Sequence, residues 1–417
     1  MTDPALDYLF GLTMHGVKLG LANIRALLDA AGNPQDTYPT IHVAGTNGKG
    51  STVAMLDAMF RAAGYRVGRF TSPHLVRLNE RFQINGEQIP DADLREEIDF
   101  FRAIAAERDY PPTFFELNTA MAFRWFARER VDAAIIEVGL GGRLDSTNVL
   151  HPISTAVTNI DLEHTQYLGH TLEEIAYEKA GIFKKDTPAV IGEVKSGPRG
   201  VLLARARHEG APALLLERDF TYTLSGPPLN QRISYESATL EIDDAPLALR
   251  GAFQGPNAAM AIALAEQCAP RFPRLTREAI LHGLATATWP CRLEKVRDTP
   301  PVYIDVAHNP AGARQLAEAF AGQKCIIVIA VSADKDAPSM LAHLAPIAQE
   351  FIVTAYEGPR AMAVEELAGV ARMHRETREI PRAEDAVNAA LERAMPDINV
   401  LVTGSIFLAG EAKQALQ

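Results

Sequence analysis

The chain has 417 residues, with 41 Lys and Arg against 52 Asp and Glu, for a formal net charge of −11. At roughly 150 residues per domain this is about two or three folding units, and 47% hydrophobic with 22% charged residues is a globular balance, not a disordered one. The acidic balance excludes a broad basic surface for nucleic acid, so an anionic ligand must be held by local groups. Cys268, Cys291 and Cys325 are too few and too scattered for a disulfide framework or a Cys-type zinc site, which fits a reducing cytoplasm. MTDPALDYLF lacks the basic start and apolar core of a signal peptide. The longest strongly apolar run, CIIVIAVSA, is about half of what a membrane span requires. Neither secretion nor membrane insertion is expected.

Along the chain, short apolar β-rich runs alternate with stretches of helical period. TIHVAG (40–45) precedes a helical stretch from Ser51 to about Ala63; YRVGRF, AAIIEVG, STAVTNI and TPAVIGE follow, with Ala- and Leu-rich segments between several of them. Near-continuous apolar strands separated by helices predict an α/β fold with a parallel sheet covered on both faces. From about Lys195 to Arg250 the pattern changes to short alternating strands with no clear helix, which predicts a small β insertion at 195–250. A second α/β cycle starts near Pro301 with PVYIDVA, a helix from about Gly312, then KCIIVIAVSA, EFIVTAYEG and NVLVTGSI. Between the cycles, LATATWPCRLEKVRDTPP carries prolines and no sustained period. The expected organisation is a P-loop-containing domain over 1–290 and a smaller Rossmann-like α/β domain over 291–417.

The strongest local signal is IHVAGTNGKGST (41–52), in which an apolar strand runs into Gly45, Thr46, Asn47, Gly48, Lys49, Gly50 and Ser51 and a helix follows. Glycines allow φ > 0 and bring N–H groups close to phosphate oxygens, the helix adds its positive end, and Lys49 adds a mobile cation. Ser51 or Thr52 can offer a hydroxyl to Mg²⁺. The usual P-loop has four residues between its glycines and a hydroxyl residue directly after the Lys; here two residues separate Gly45 from Gly48, and Gly50 intervenes.

Glu137 closes the apolar run AAIIE at a strand end, where ligands gather in open α/β sheets. A carboxylate there is either a hard ligand for Mg²⁺ or the partner of an arginine such as Arg143. On their own, His164 reads as a surface or capping residue, Lys179 as a solvated lysine in a charged helix, and Phe115 as core packing.

GTNGKGS resembles the nucleotide loop of the Mur ligase superfamily of ATP-dependent amide-bond-forming ligases. TSPHL (71–75), EVGLGGRLDSTN (137–148), DLEHTQYLG (161–169), EKAGIFK (178–184), DVAHNP (305–310), ADKD (333–336) and TGSIFLAGE (403–411) resemble the folate branch of that family, in order and over essentially the whole chain. The resemblance implies an enzyme that joins L-glutamate to dihydropteroate and to folates, or one that only extends folates. It implies transfer of the ATP γ-phosphate to a substrate carboxylate, then attack of the glutamate amine on the acyl phosphate. ATP and two Mg²⁺ are the expected cofactors, and the family expectation is a cytoplasmic monomer. The matched positions are Thr46, Asn47, Gly48, Lys49, Gly50, Ser51, Asn257, Arg292 and Asp305 for ATP, with His308 as a further candidate. Ser72, Glu137 and His164 match the metal ligands. Lys49, His164 and Lys179 match the catalytic set, with Lys179 carbamylated. Leu19, Thr113, Phe115, Asp145 and Ser146 match the pterin site, whose flat ring needs an aromatic face and a few directed hydrogen bonds. The family usually has Gly where this chain has Cys291.

Two rivals remain at this stage. A peptidoglycan-type Mur ligase carries an additional N-terminal domain, whereas 44 residues precede Gly45. A P-loop switch or transport ATPase would release ADP without making a bond.

Overall fold

The computed structural model describes residues 3–16, 18–107 and 111–416. The chain divides into two compact units. Met1–Thr223, Ile233–Pro246 and Gly255–Ala287 form the first; Leu224–Arg232, Leu247–Gln254 and Thr288–Gln417 form the second.

The first unit is built on an eight-stranded sheet of β1 (Thr40–Ala44), β2 (Val67–Phe70), β3 (Phe82–Ile84), β4 (Glu87–Gln88), β5 (Ala133–Glu137), β6 (Ser154–Val157), β7 (Ala189–Ile191) and β8 (Ala213–Leu215). The strand order is β4-β3-β2-β5-β1-β6-β7-β8, parallel from β2 to β8, with β3 and β4 added antiparallel at one edge. All five residues of β1 and of β5 are buried, as strands covered on both faces require. Ala134 and Ile136 of β5 join one core cluster with residues of the helices Ala22–Ala30, Asp91–Ala106 and Phe114–Arg128. Val157, Ala189 and Ile191 join another with the helices Leu172–Lys179 and Ser196–Glu209.

The expected β insertion begins too early in the sequence reading. Residues 196–209 are a helix, and β8 belongs to the main sheet. Gly197, Pro198 and Gly200 weaken the helical signal in the first turn, and three charged residues, Arg205, Arg207 and Glu209, follow within the span. The separate sheet has three strands, β9 (Phe220–Ser225), β10 (Arg232–Ser237) and β11 (Glu241–Pro246), in the order β11-β10-β9.

The second unit carries a six-stranded sheet of β12 (Glu294–Asp298), β13 (Pro301–Ile304), β14 (Cys325–Ile329), β15 (Ala348–Ala355), β16 (Thr377–Arg382) and β17 (Asn399–Thr403), in the order β12-β13-β17-β14-β15-β16. Only β12 is antiparallel. This edge strand lies inside the stretch that showed no period, because none of its residues is fully buried and its charges alternate with little apolar content. Among the described residues no helix is long and apolar enough to cross a membrane.

Candidate active site

In sheet order β2, β5, β1 and β6 are consecutive, and their carboxyl ends deliver Ser72, Glu137, the Gly45–Gly48 bend and the 158–164 segment respectively. Ligands of open α/β sheets collect outside this edge.

The bend is wound by its glycines and pinned by its neighbours. Gly45 has φ +143°, and a Cβ there would stand 1.8 Å from Thr158 Oγ1; Gly48 has φ +84°, and a Cβ would meet Asn257 Oδ1 at 2.1 Å. Thr46 N–H donates to Asn159 O at 2.9 Å, Asn47 N–H donates to Asn159 Oδ1 at 2.7 Å, and Thr158 Oγ1 donates to Asn47 O at 2.6 Å. The helix Lys49–Ala62 starts at Lys49, two residues before the expected Ser51. Lys49 Nζ folds back onto Gly45 O at 2.8 Å and Thr46 O at 3.1 Å, so its ammonium lies over the bend. Thr52 is buried and donates to Asn257 O at 3.4 Å, which fixes Asn257 beside the loop.

Glu137 is 4% exposed, and its Oε2 accepts the Ser72 N–H at 3.1 Å. Arg143, the arginine considered from the sequence, pairs instead with Glu178 at 2.8 Å. Among the described residues no three His, Cys, Asp or Glu side chains gather to hold a metal alone. Ser72 and Glu137 are thus brought together. One carboxylate, one hydroxyl and nucleotide phosphates are nevertheless a suitable donor set for Mg²⁺, which keeps waters and substrate oxygens in its shell.

His164 is exposed, sits at φ +45°, and its carbonyl accepts N–H bonds from Tyr167 at 2.8 Å and Leu168 at 3.0 Å. A non-glycine residue in this region costs on the order of 1 kcal/mol, a cost found where function holds a backbone in place. Its neighbour Glu163 is the acidic partner of Lys179. Lys179 is no solvated surface residue: its side chain is 1% exposed, and burial first, then the nearby Lys49 charge, pull its ammonium down to about 8 although Glu163 opposes the shift. Burial raises the Glu163 carboxyl, but Lys179, Lys49 and His164 together hold it below the usual range. Sequence reasoning missed Glu163; the available signal was an acid directly beside the expected ligand in DLEH.

The pterin candidates separate. Thr113 caps the helix Phe114–Arg128: its hydroxyl accepts the Glu116 N–H at 3.2 Å, and Glu116 Oε2 accepts the Thr113 N–H at 2.7 Å. Phe115 lies against Gly139, where a Cβ would meet its ring at 2.3 Å, and against Phe70 with ring centroids 6.0 Å apart. Asp145 organises its own loop, accepting Leu140 N–H at 2.7 Å and Thr147 N–H at 3.0 Å, with burial pushing its carboxyl up. Ser146 is buried in the same turn, and Leu19 is 44% exposed.

Arg292, Asp305 and His308 belong to the second unit. Arg292 lies between two left-handed residues, Cys291 at φ +55° and Leu293 at φ +45°. Leu293 N–H donates to Asp305 Oδ2 at 2.8 Å, Ala307 N–H donates to Asp305 Oδ1 at 2.7 Å, and Val306 N–H donates to Cys291 O at 3.0 Å. Asp305, buried and with its carboxyl raised by burial, therefore anchors the turn that presents Arg292. Cys291 stands in a conformation that favours glycine, so its Cβ imposes strain without unwinding the turn.

Residues 43–265 match the Mur ligase middle domain, and residues 291–406 match the Mur ligase glutamate ligase domain. The chain is 39% identical over 408 residues to folylpolyglutamate synthase of Lacticaseibacillus casei, covering 94% of this chain and 93% of the relative. It superposes with a TM-score of 0.87 and 32% identity on Escherichia coli FolC in complex with DHPP and ADP, covering 100% of this chain and 98% of the other. The bifunctional folylpolyglutamate synthase/dihydrofolate synthase of Yersinia pestis, complexed with AMPPNP and Mn ion, gives the same TM-score and identity, with the same coverage of both chains. The chain belongs to the Mur ligase family, in its folylpolyglutamate synthase/dihydrofolate synthase branch.

Proposed function

We propose that this protein is an ATP-dependent ligase that joins L-glutamate to dihydropteroate and to folates. The observation that carries this reading is the convergence of the Lys49 bend, the Ser72–Glu137 pair and the Glu163–Lys179 pair on one edge of four consecutive strands. Joining a carboxylate to an amine in water is uphill, so the carboxylate is first activated by the ATP γ-phosphate. The two anions repel each other as they meet. Lys49 supplies positive charge between them, and loop N–H groups at the start of the helix Lys49–Ala62 hold the phosphates. The resulting acyl phosphate is attacked by the glutamate α-amine, which forms the amide bond and releases phosphate.

Ser72 and Glu137 would hold one Mg²⁺, with Ser51 as a further hydroxyl; bound there, the ion would neutralise charge on the transferring phosphoryl group. His164 and a carbamylated Lys179 are proposed for a second ion. A lysine brought down to about 8 is partly neutral near physiological pH and can add to CO₂, exchanging a buried cation for an anion. Asn257 beside the bend, and Arg292 presented by its Asp305-anchored turn, are proposed ATP contacts. Phe115, with Thr113, Asp145, Ser146 and Leu19, is proposed for the pterin ring. Cytoplasmic location fits three buried cysteines that form no disulfide. A monomer is the working oligomeric state.

The test is product formation. Purified protein with ATP, Mg²⁺, glutamate and dihydropteroate should yield dihydrofolate, ADP and phosphate in equal amounts, and tetrahydrofolate should gain glutamate under the same conditions. Loss of only the first product would leave a folate-extending enzyme. Equal ADP release with and without glutamate would point instead to an ATPase that makes no bond.

A further inference from the structure

Arg81, which closes the turn Leu78–Arg81 just before β3, is buried at 7% exposure, yet no carboxylate lies within hydrogen-bonding distance of its guanidinium among the described residues. Its Nε donates to His74 Nδ1 at 2.9 Å. Its guanidinium carbon lies 5.3 Å from the centre of the Phe114 ring, the residue preceding Phe115. The two acids that act on it electrostatically are both engaged. Glu80 accepts the N–H groups of Leu75 at 2.6 Å, Val76 at 2.9 Å and Arg77 at 2.8 Å, and Glu137 accepts Ser72 N–H and is the metal candidate. A largely buried cation with no hydrogen-bonded counter-ion is costly, and its two Nη groups, which are not among the buried atoms without a partner, are left open to an incoming acceptor.

We propose that Arg81 binds the reacting carboxylate of the pteroyl substrate, its Nη fork directed to the two oxygens. The placement suits this role: the guanidinium lies beside the Phe114 ring, next in sequence to Phe115, and close enough to Glu137 of the Ser72–Glu137 pair to feel its charge. His74, accepting Nε–H, holds the plane of the fork and is a positioning residue. Fork-to-carboxylate pairing is geometrically selective and stronger than a neutral hydrogen bond. The inference rests on the ligase reading above, and its test separates the two.

Binding of dihydropteroate and of its neutral carboxamide is measured by calorimetry on wild type, Arg81→Gln and Arg81→Lys, with AMPPNP affinity and melting temperature as controls. Wild type should prefer the acid, and Arg81→Gln should weaken acid binding by about 10- to 100-fold while leaving the amide nearly unchanged. Arg81→Lys should keep part of the preference, since charge survives and the fork does not. His74→Ala should raise KM for the acid more than it changes AMPPNP binding. A folded Arg81→Gln variant that still prefers the acid as strongly as wild type overturns the assignment. If Arg81→Gln does not fold, full acid preference in Arg81→Lys overturns it equally. Failure of wild type to bind either compound would instead remove the dihydropteroate half of the ligase reading on which the assignment rests.

Discussion

Lys49 and Lys179 feel each other's charge, and the fold treats them differently. Lys49 is half-buried and bonded only to carbonyls of its own bend, so its removal exposes no buried counter-charge. Lys49→Ala should therefore move the melting temperature by no more than about 4 °C while lowering kcat by about 100- to 1,000-fold. Glutamate-dependent ADP release beside a thermal melt checks both halves, and near-normal turnover would remove Lys49 from the transition state. Lys179 is the opposite case. With its folded value near 8, below the ordinary lysine range, the amine is protonated and inert below that pH and becomes nucleophilic above it. Enzyme stripped of CO₂ should thus regain activity faster at pH 8.5 than at pH 6.5 when dissolved CO₂ is held constant. The neutral fraction differs by about 25-fold between the two. The rate of recovery and a mass gain on Lys179 are the readouts; a pH-independent rate would mean that the lysine works unmodified.

At the scale of single elements, the helix Phe114–Arg128 tests what its first residue does. Thr113 was expected at the pterin, but its hydroxyl is committed to the Glu116 N–H in a reciprocal cap. Thr113→Ala should cost about 1 kcal/mol of stability, read as a lower urea midpoint, and Thr113→Ser should restore it. A rise in the dihydropteroate KM in the Ala variant that Ser also restores would place the hydroxyl in both roles; stability loss with unchanged KM would leave it a cap alone. The same element shows what was legible from sequence. The phosphate bend, the strand-end Glu137 and the α/β alternation were readable because glycines, a terminal acid and apolar runs are local signals. Lys179 was not, since a lysine among glutamates in LEEIAYEK looks solvated until the fold buries it against Glu163. The helix Ser196–Glu209 was hidden by Gly and Pro in its first turn, and β12 by its exposed, charged edge. Arg81 gave no signal at all, because an unpaired buried cation is a property of the assembled strands.

For the molecule as a whole, the two cores are not two halves of the sequence. The second unit takes Leu224–Arg232 and Leu247–Gln254 from either side of β10 and β11, so a boundary drawn near residue 290 separates that core from part of its own lining. Leu229 and Phe253 pack against the cluster that contains Leu293, Ile327, Val353 and Leu401. The Phe253 ring also packs over Gly251, at φ +96°, where an added Cβ would stand 2.4 Å from the ring. Phe253→Ala removes a half-buried ring, a loss of about 2 kcal/mol if it costs roughly half of a fully buried Phe→Ala change. Hydrogen exchange of the intact chain should then show opening of β13, β14 and β17 about 30-fold more frequent, with β1 and β5 unchanged. Equal loss of protection in both sheets would mean that the cores unfold as one, and no loss would mean that the 247–254 segment is not part of the second core.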